Sequence, residues 1–209
     1  VGGVVEERGV LGVMQRGHGL AGESRGGSGG AGSVGGDVGQ IGKAVGGGVV
    51  GIAGGPEKWS YAVDQLGFDA CVDYRGGSVF KALRTACPDG VDVYFDNVGG
   101  PVLDKVLTRM NHYGRIAVCG LVSDYTSGSR TAPSEFDQVL MRRLRVEGFF
   151  SPDFIDQGER LTQRLLGWFE AGELTMPYDV THGLENTLLA YEKLFAGRNI
   201  GKVIVELEQ

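Results

Sequence analysis

The chain contains the spacing G-x-G-x-x-G at Gly30, Gly32 and Gly35. This is the pattern in the chain that most directly indicates a phosphate-binding site. Where such a stretch joins a strand to a helix, the first glycine permits a tight turn and the second lets a phosphate approach the backbone. The third lets the helix pack against the strand. The helix N-terminus then offers N–H donors to an anion. The first 55 residues contain 22 of the 38 glycines, so the motif indicates a dinucleotide site only if its neighbours fit.

The turn needs a strand before it and a helix after it. Val34, Val38 and Ile41 recur at helical spacing and predict the helix. The preceding stretch, Ser24 to Gly27, is a poor strand because half of it is glycine. Further along, short apolar strands alternate with helices. The predicted strands are 49–53, 71–74, 91–96 and 115–119, and the predicted helices are 56–66, 79–86 and 102–110. This alternation is typical of the α/β class with a doubly wound parallel sheet (Rossmann-type), which binds ligands at the carboxyl ends of its strands.

The last third of the chain carries further helical and strand patterns. Helices are predicted at 135–143, 156–171 and 186–195, and strands at 144–150 and 202–207. With 209 residues, the chain is long enough for one ordinary domain with its own core.

Composition narrows the class of protein. The net charge of −6 argues against nucleic-acid binding through bulk electrostatics. No run of about 18 apolar residues is present, so no membrane span is expected, and the first residues do not resemble a signal peptide. The three cysteines show no C-x-x-C spacing. We therefore expect reduced thiols in a cytoplasmic protein without structural zinc.

The residues after the second predicted strand indicate which dinucleotide is bound. An NAD site usually has an acidic residue at the tip of this strand, where it accepts hydrogen bonds from the ribose 2′-hydroxyl. Here the strand ends in Gly54 and Gly55, and Lys58 follows in the first helical turn. A cation at this place suits a 2′-phosphate and favours NADP. The alternative is a solvated surface lysine beside Glu57.

Few side chains carry a catalytic pattern. The three histidines are isolated, so we expect no metal site, and the motifs H-E-x-x-H, G-x-S-x-G and Y-x-x-x-K are absent. Tyr125 lies in the loop that follows the strand ending at Cys119. Its phenol is a candidate proton donor near the nicotinamide. The alternative is a loop tyrosine without a catalytic role.

Several segments together resemble one family. They are Gly30 to Gly35, Val49 to Lys58, Leu66 to Ala70, Asp73-Tyr74, Tyr94 to Gly100, Cys119-Gly120 and Gly197 to Lys202. These segments resemble the zinc-independent medium-chain dehydrogenase/reductases, in the branch of prostaglandin, alkenal double-bond and curcumin reductases. The resemblance covers about Val10 to Glu208.

The resemblance implies that NADPH delivers hydride to the β-carbon of an α,β-unsaturated aldehyde or ketone, and that a proton then adds at the α-carbon. It implies a cofactor site made of Gly30, Gly32, Ser33, Val34, Gly35, Gly54, Lys58, Tyr74, Asn97, Cys119, Gly120, Phe149, Phe150, Ser151, Asn199 and Gly201. Lys58 and Tyr74 match residues at the 2′-phosphate, and Asn97 one beside a ribose. Cys119, Gly120 and 149–151 match the nicotinamide side, and Asn199 matches a pyrophosphate contact. Tyr125 matches a loop tyrosine that serves as proton donor or oxyanion partner.

The chain also departs from this family. A GroES-like domain of about a hundred residues, which supplies much of the substrate pocket, is expected before the cofactor domain and is missing from this sequence. Residues 1–22 are then an inter-domain remnant, 23–178 the dinucleotide-binding domain, and 179–209 a helix and strand that return toward the missing domain. Asp37 stands where relatives carry an alkyl residue, and it opposes phosphate binding unless it points away.

Three functions remain open at this stage. The first is an NADPH-dependent enal or enone reductase, weak or inactive without the missing domain. The second is a quinone reductase of the same superfamily, and the third is a non-catalytic NADPH-binding fragment or oligomerisation module. A homodimer is expected, with Leu144 to Phe150 as the edge strand.

Overall fold

The computed structural model describes residues 22–128, 132–148 and 150–207. Within them, six strands form one sheet in the order β3-β2-β1-β4-β5-β6, and all neighbouring strands are parallel. The strands are β1 (Ser24–Ser28), β2 (Gly48–Ala53), β3 (Ala70–Asp73), β4 (Val91–Asp96), β5 (Met110–Val118) and β6 (Arg145–Gly148). The strand order changes direction between β1 and β4, as it does in a doubly wound sheet. The predicted fold class is confirmed.

Helices connect the strands and pack on both faces of the sheet. They are α1 (Ser33–Ala44), α2 (Pro56–Asp64), α3 (Val79–Ala86), α4 (Gly100–Leu107), α5 (Val122–Ser127), α6 (Asp137–Met141), α7 (Gly158–Glu170) and α8 (Thr187–Phe195). In β4, Tyr94 packs in a core cluster with Leu83 of α3 and Val106 of α4. Its neighbour Phe95 packs with Ile41 of α1 in a second cluster, because successive strand side chains face opposite sides. Across the described ranges, no helix has both the length and the hydrophobicity needed to cross a bilayer.

Some element boundaries differ from the predicted ones. β5 begins at Met110, where a helix was predicted to continue. The Arg142 guanidinium donates hydrogen bonds to the carbonyls of Thr108 (2.9 Å) and Met110 (2.5 Å), and these contacts hold the segment outside α4. The predicted helix 135–143 is shorter as α6, and Arg143 after it has a left-handed backbone with φ of 53°. Such a conformation ends a helix.

β1 has a poor strand composition and nevertheless forms at the centre of the sheet. Gly27 pairs with Gly51 of β2 on one side and with Phe95 of β4 on the other. Pairing on both sides supports a strand that its own residue types disfavour. A Cβ atom at Gly27 would meet no atom within 4 Å, and a cavity of about 20 Å³ is lined by Gly27, Val38 and Phe95. The glycine therefore leaves space in the core.

Gly27→Ala is expected to stabilise the protein. The methyl group would fill part of the cavity without a clash, and alanine restricts the unfolded chain more than glycine does, which together give about 0.5–1 kcal/mol. The free energy of unfolding in urea measures the effect. The matched control is Gly39→Ala, whose Cβ would lie 1.9 Å from the Phe68 ring and should destabilise. An unchanged or lower stability of Gly27→Ala contradicts the account of the cavity.

Two further strands, β7 (Tyr178–His182) and β8 (Lys202–Glu206), form a separate parallel pair. β8 was predicted and β7 was not. The Gly201 N–H donates to the Ala31 carbonyl at 2.9 Å, so the residue before β8 contacts the glycine turn. The return of this segment toward a further domain and the division at 178/179 stay predictions, and residues 1–21 lie outside the described ranges.

Candidate cofactor site

An open groove of about 960 Å³ lies at the carboxyl ends of the central strands. The glycine turn after β1, the ends of β2 and β4, and the loop between α8 and β8 form its walls. Eleven predicted site residues line it: Gly32, Ser33, Val34, Gly35, Gly54, Lys58, Tyr74, Asn97, Tyr125, Asn199 and Gly201. The groove brings these residues together from six separate parts of the chain.

The glycine turn is closely packed where it enters α1. The Gly32 N–H donates to the Gly29 carbonyl at 2.8 Å, and a Cβ at Gly35 would lie 2.3 Å from that carbonyl oxygen. Only glycine fits at position 35 without moving the turn. Gly32 is the N-cap of α1 and has no side chain to accept hydrogen bonds from the first helical N–H groups. These donors, together with the helix dipole, suit a phosphate.

Gly30 does not line the groove and instead packs the glycine turn against β2. Its N–H donates to the Ile52 carbonyl of β2 at 3.0 Å, and a Cβ there would lie 3.1 Å from the Gly51 Cα. Asp37, which sequence reasoning treated as an obstacle to phosphate binding, is buried within α1 and is also outside the groove lining. Its carboxylate therefore lies away from the groove wall.

The far end of the groove carries the charges expected for a 2′-phosphate. Lys58 and Tyr74 both line it next to Gly54. Burial, followed by the positive charge of Arg75, holds the pKa of Lys58 below its ordinary value, while Glu57 and Asp179 raise it. In sequence, β2 is followed by Gly54 and Gly55 rather than by an acid, and the carboxylate nearest to this tip is that of Asp73, which accepts the Gly55 N–H at 2.9 Å. This end of the groove fits an anion better than it fits a ribose hydroxyl.

A buried carboxylate positions the loop that carries Asn97. Asp96 Oδ1 accepts hydrogen bonds from the N–H groups of Val98 (3.2 Å) and Gly99 (3.0 Å) and from Ser28 Oγ (3.2 Å). Ser28 Oγ in turn accepts from the Asn97 N–H at 2.9 Å. Burial raises the pKa of Asp96, and the N–H donors lower it in part. The network links the end of β4 to the end of β1 and fixes where Asn97 enters the groove.

Cys119 and Gly120 lie behind Asn97 rather than in the groove wall. Their N–H groups donate to the Asp96 carbonyl at 2.7 and 3.3 Å. A Cβ at Gly120 would lie 2.6 Å from Asn97 Oδ1, so glycine leaves the place that the Asn97 amide occupies. Both residues thus act on the shape of the site through their neighbours.

Tyr125 lies in α5, and its side chain is 67% exposed. α5 is attached to the Asn97 loop because Ser123 Oγ donates to the Val98 carbonyl at 2.6 Å and the Val122 N–H donates to the Asn97 carbonyl at 3.2 Å. The phenol is therefore accessible at the same end of the groove as Asn97. This placement is compatible with proton donation to a substrate.

Asn199 and Gly201 close the groove from the C-terminal side. Asn199 is buried, and its Nδ2 donates to the Gly201 carbonyl at 2.8 Å. Gly201 has φ of 70° and forms a parallel β-bridge with Gly32 of the glycine turn. Asn199 thus shapes the segment that lies against the glycine turn, and its contact with pyrophosphate stays a prediction.

The predicted nicotinamide segment is only partly described. Phe149 lies outside the described residues. Phe150 is 64% exposed and does not line the groove, and Ser151 begins a 3₁₀ helix that runs to Gln157. The structure leaves the predicted contact of this segment with a carboxamide untested.

The described residues contain no group of three or more histidine, cysteine or acidic side chains placed to hold a metal ion.

Sequence reasoning missed Arg75, which lines the groove next to Tyr74. The available signal was a second cation within two residues of the end of β3. It also missed Asp73 and Asp96, whose roles depend on backbone contacts that no spacing reveals.

Comparison with known proteins shows which family this chain resembles in sequence. The sequence pattern of the family described as zinc-binding dehydrogenase matches residues 66–205. NADPH-dependent curcumin reductase of Escherichia coli is 40% identical over 176 residues, which are 80% of this chain and 50% of the relative. The NADP(+)-dependent 2-alkenal reductase of Nicotiana tabacum is 40% identical over 167 residues, 79% of this chain and 49% of the relative. The chain spans about half the length of the curated relatives it matches.

A solved structure shares the fold closely. The crystal structure of CurA in complex with NADPH from Vibrio vulnificus superposes with a TM-score of 0.93 at 34% identity. The match covers 99% of this chain and 64% of that one. The described fold therefore matches about two thirds of that chain.

Proposed function

The chain belongs to the zinc-binding dehydrogenase family, and we propose that it binds NADPH and takes part in reducing the carbon–carbon double bond of α,β-unsaturated aldehydes or ketones. The observation that carries the cofactor assignment is the groove itself. Gly32 and Gly35 form a turn that a side chain would fill, and Lys58 stands beside the strand tip where NAD sites place an acid. Two relatives named for NADPH- or NADP⁺-dependent reduction of such substrates support the reaction class.

The residues have distinct roles in this proposal. The N–H groups at the start of α1 bind the pyrophosphate, and Lys58 and Tyr74 bind the 2′-phosphate. Asn97 orients the nicotinamide ribose, held in place by the buried Asp96 network. When bound, NADPH supplies the hydride that adds to the β-carbon. Tyr125 then donates a proton to the α-carbon or to the oxygen of the resulting enolate.

The test of the reaction uses NADPH deuterated at the transferred position of C4. Incubation with an alkenal such as 2-hexenal should oxidise NADPH and place deuterium at the β-carbon of the saturated aldehyde, as read by mass spectrometry. Oxidation with benzoquinone but not with the alkenal would instead identify a quinone reductase. NADPH binding without turnover of either substrate would overturn both catalytic assignments and leave an NADPH-binding unit.

Tyr125→Phe should lower the rate of alkenal reduction by about a hundredfold, because general acid catalysis contributes on that scale. The dissociation constant of NADPH should stay unchanged, since the phenol lies beyond the phosphate-binding part of the groove. Steady-state kinetics and a fluorescence titration measure the two quantities. Tyr113→Phe is the matched control, because Tyr113 is 69% exposed and lies outside the groove lining. Equal rates for Tyr125→Phe and the wild type contradict a catalytic phenol.

We also propose that two copies pair along β6. This strand ends the sheet order, and the apolar side chains of Leu140, Met141 and Val146 around it are 78%, 61% and 44% exposed. An unpaired strand edge with apolar neighbours favours association with a second strand. Light scattering that gives the mass of a single chain would contradict this pairing.

A further inference from the structure

We propose that Arg75 is a specificity-determining residue of the cofactor site, whose guanidinium binds the 2′-phosphate together with Lys58 and Tyr74. This inference rests on the proposed NADPH site and deepens it. It concerns a residue that neither the spacing of the sequence nor a named motif singles out.

Three distances locate the Arg75 guanidinium at the end of the groove. Its central carbon lies 5.5 Å from the centroid of the Tyr74 ring. Its Nε lies 2.8 Å from the position that a Cβ at Gly54 would occupy, and its terminal nitrogen NH2 lies 3.7 Å from the corresponding position at Gly197. The group therefore stands beside the tip of β2 and reaches toward the loop between α8 and β8. Gly54 and Gly197 also line the groove.

A shared carboxylate fixes this arrangement. Asp73 Oδ1 accepts a hydrogen bond from the Arg75 N–H at 2.8 Å and from the Gly55 N–H at 2.9 Å. These contacts, from Gly55 and then Arg75, hold the pKa of Asp73 below its ordinary value. The turn after β3, which carries Tyr74 and Arg75, is thereby tied to the turn after β2, which precedes Lys58. These contacts hold together the two backbone segments that carry the cations.

The electrostatics of the pair favour a doubly charged anion. Lys58 is partly buried, and after burial the positive charge of Arg75 is the next cause that lowers the pKa of Lys58, while Glu57 and Asp179 raise it. A phosphate monoester between Lys58 and Arg75 would offset both positive charges and accept hydrogen bonds from both groups. The planar guanidinium can donate two parallel hydrogen bonds to phosphate, which an ammonium cannot do. A ribose hydroxyl offers no comparable charge, so the arrangement selects NADPH over NADH.

The test compares Arg75→Gln with the wild type in calorimetric titrations of NADPH, NADH, 2′,5′-ADP and 5′-AMP. Loss of a charge-assisted hydrogen bond should weaken NADPH and 2′,5′-ADP about tenfold to a hundredfold. NADH and 5′-AMP should change by less than about twofold, because they lack the phosphate. Arg75→Lys, which keeps the charge and loses the planar fork, should fall between the two.

The control is Arg84→Gln, because Arg84 lies on α3 outside the groove lining. Thermal melting without ligand checks that each variant is folded. NADPH affinity of Arg75→Gln within about twofold of the wild type would overturn the role of Arg75, and so would an equal loss for NADH. A wild-type chain that binds NADPH and NADH equally would instead overturn the cofactor assignment. Failure of the deuterium transfer with NADPH selectivity intact would overturn the reaction alone.

Discussion

Gly35→Ala is expected to lower NADPH affinity by about a hundredfold, because several charge-assisted hydrogen bonds to phosphate each contribute about 1.5–3 kcal/mol. The new Cβ would lie 2.3 Å from the Gly29 carbonyl oxygen and 2.6 Å from the Ser28 carbonyl oxygen. Both are backbone atoms, so the turn itself must move. The N–H groups at the start of α1 then no longer converge on the pyrophosphate.

The same displacement should reduce stability by about 1–3 kcal/mol, as overpacking does elsewhere. Fluorescence titration with NADPH is therefore made at a temperature where circular dichroism shows the variant to be folded. Gly36→Ala is the matched control in the next position of α1. Its Cβ would lie 3.2 Å from Leu66 Cδ1, a side-chain end that can move, and 3.7 Å from the Gly30 carbonyl oxygen, an ordinary contact. A folded Gly35→Ala that binds NADPH as tightly as Gly36→Ala contradicts the role of the turn.

Gly54→Asp is expected to reverse the preference between the two cofactors. It places a carboxylate at the tip of β2, where NAD sites bind the ribose 2′-hydroxyl. The same carboxylate repels a 2′-phosphate, and at an effective dielectric constant near 20 the repulsion of close charges is about 4 kcal/mol, enough to weaken NADPH by about a hundredfold or more. NADH should bind at least as tightly as it does to the wild type. Parallel titrations with NADPH and NADH measure the ratio.

Gly54→Ala is the control that separates the effect of the added negative charge on cofactor affinity from the effect of the added side-chain volume. A Cβ at position 54 would lie 2.7 Å from Tyr74 Cζ and 2.8 Å from Arg75 Nε, so both variants must displace these side chains. Alanine should therefore weaken NADPH less than aspartate does and should not improve the relative binding of NADH. If alanine and aspartate shift the ratio equally, the charge at the strand tip does not determine cofactor choice.

The sequence predicts the sheet well where strands are apolar and buried. β2 and β4 form at their predicted positions because runs of valine, isoleucine and aromatic residues are buried on both faces. β1 could not be predicted with the same strength, since two glycines weaken it locally and only its neighbours on both sides support it. β7 was missed because it is partly exposed and pairs with a strand about 20 residues later.

Sequence reasoning reached the groove only in part. The spacing of Gly30, Gly32 and Gly35 and the glycines that directly follow β2 in place of an acid were readable because they rest on residue type and position. The structure adds that Gly30 supports the turn from below while Gly32 and Gly35 line the groove. Arg75 follows the end of β3 by two residues, but its place at the groove depends on how Asp73 joins two turns, which the sequence does not show.

In the proposed function, the groove binds NADPH and holds its 2′-phosphate beside Lys58 and Tyr74. The most direct measurement is a fluorescence titration of the wild-type chain with NADPH and NADH, followed by displacement with 2′,5′-ADP. The account predicts saturable NADPH binding at least about tenfold tighter than NADH, and displacement by 2′,5′-ADP but not by 5′-AMP at the same concentration. Equal affinity for the two cofactors, or NADPH binding that 2′,5′-ADP does not displace, would contradict it.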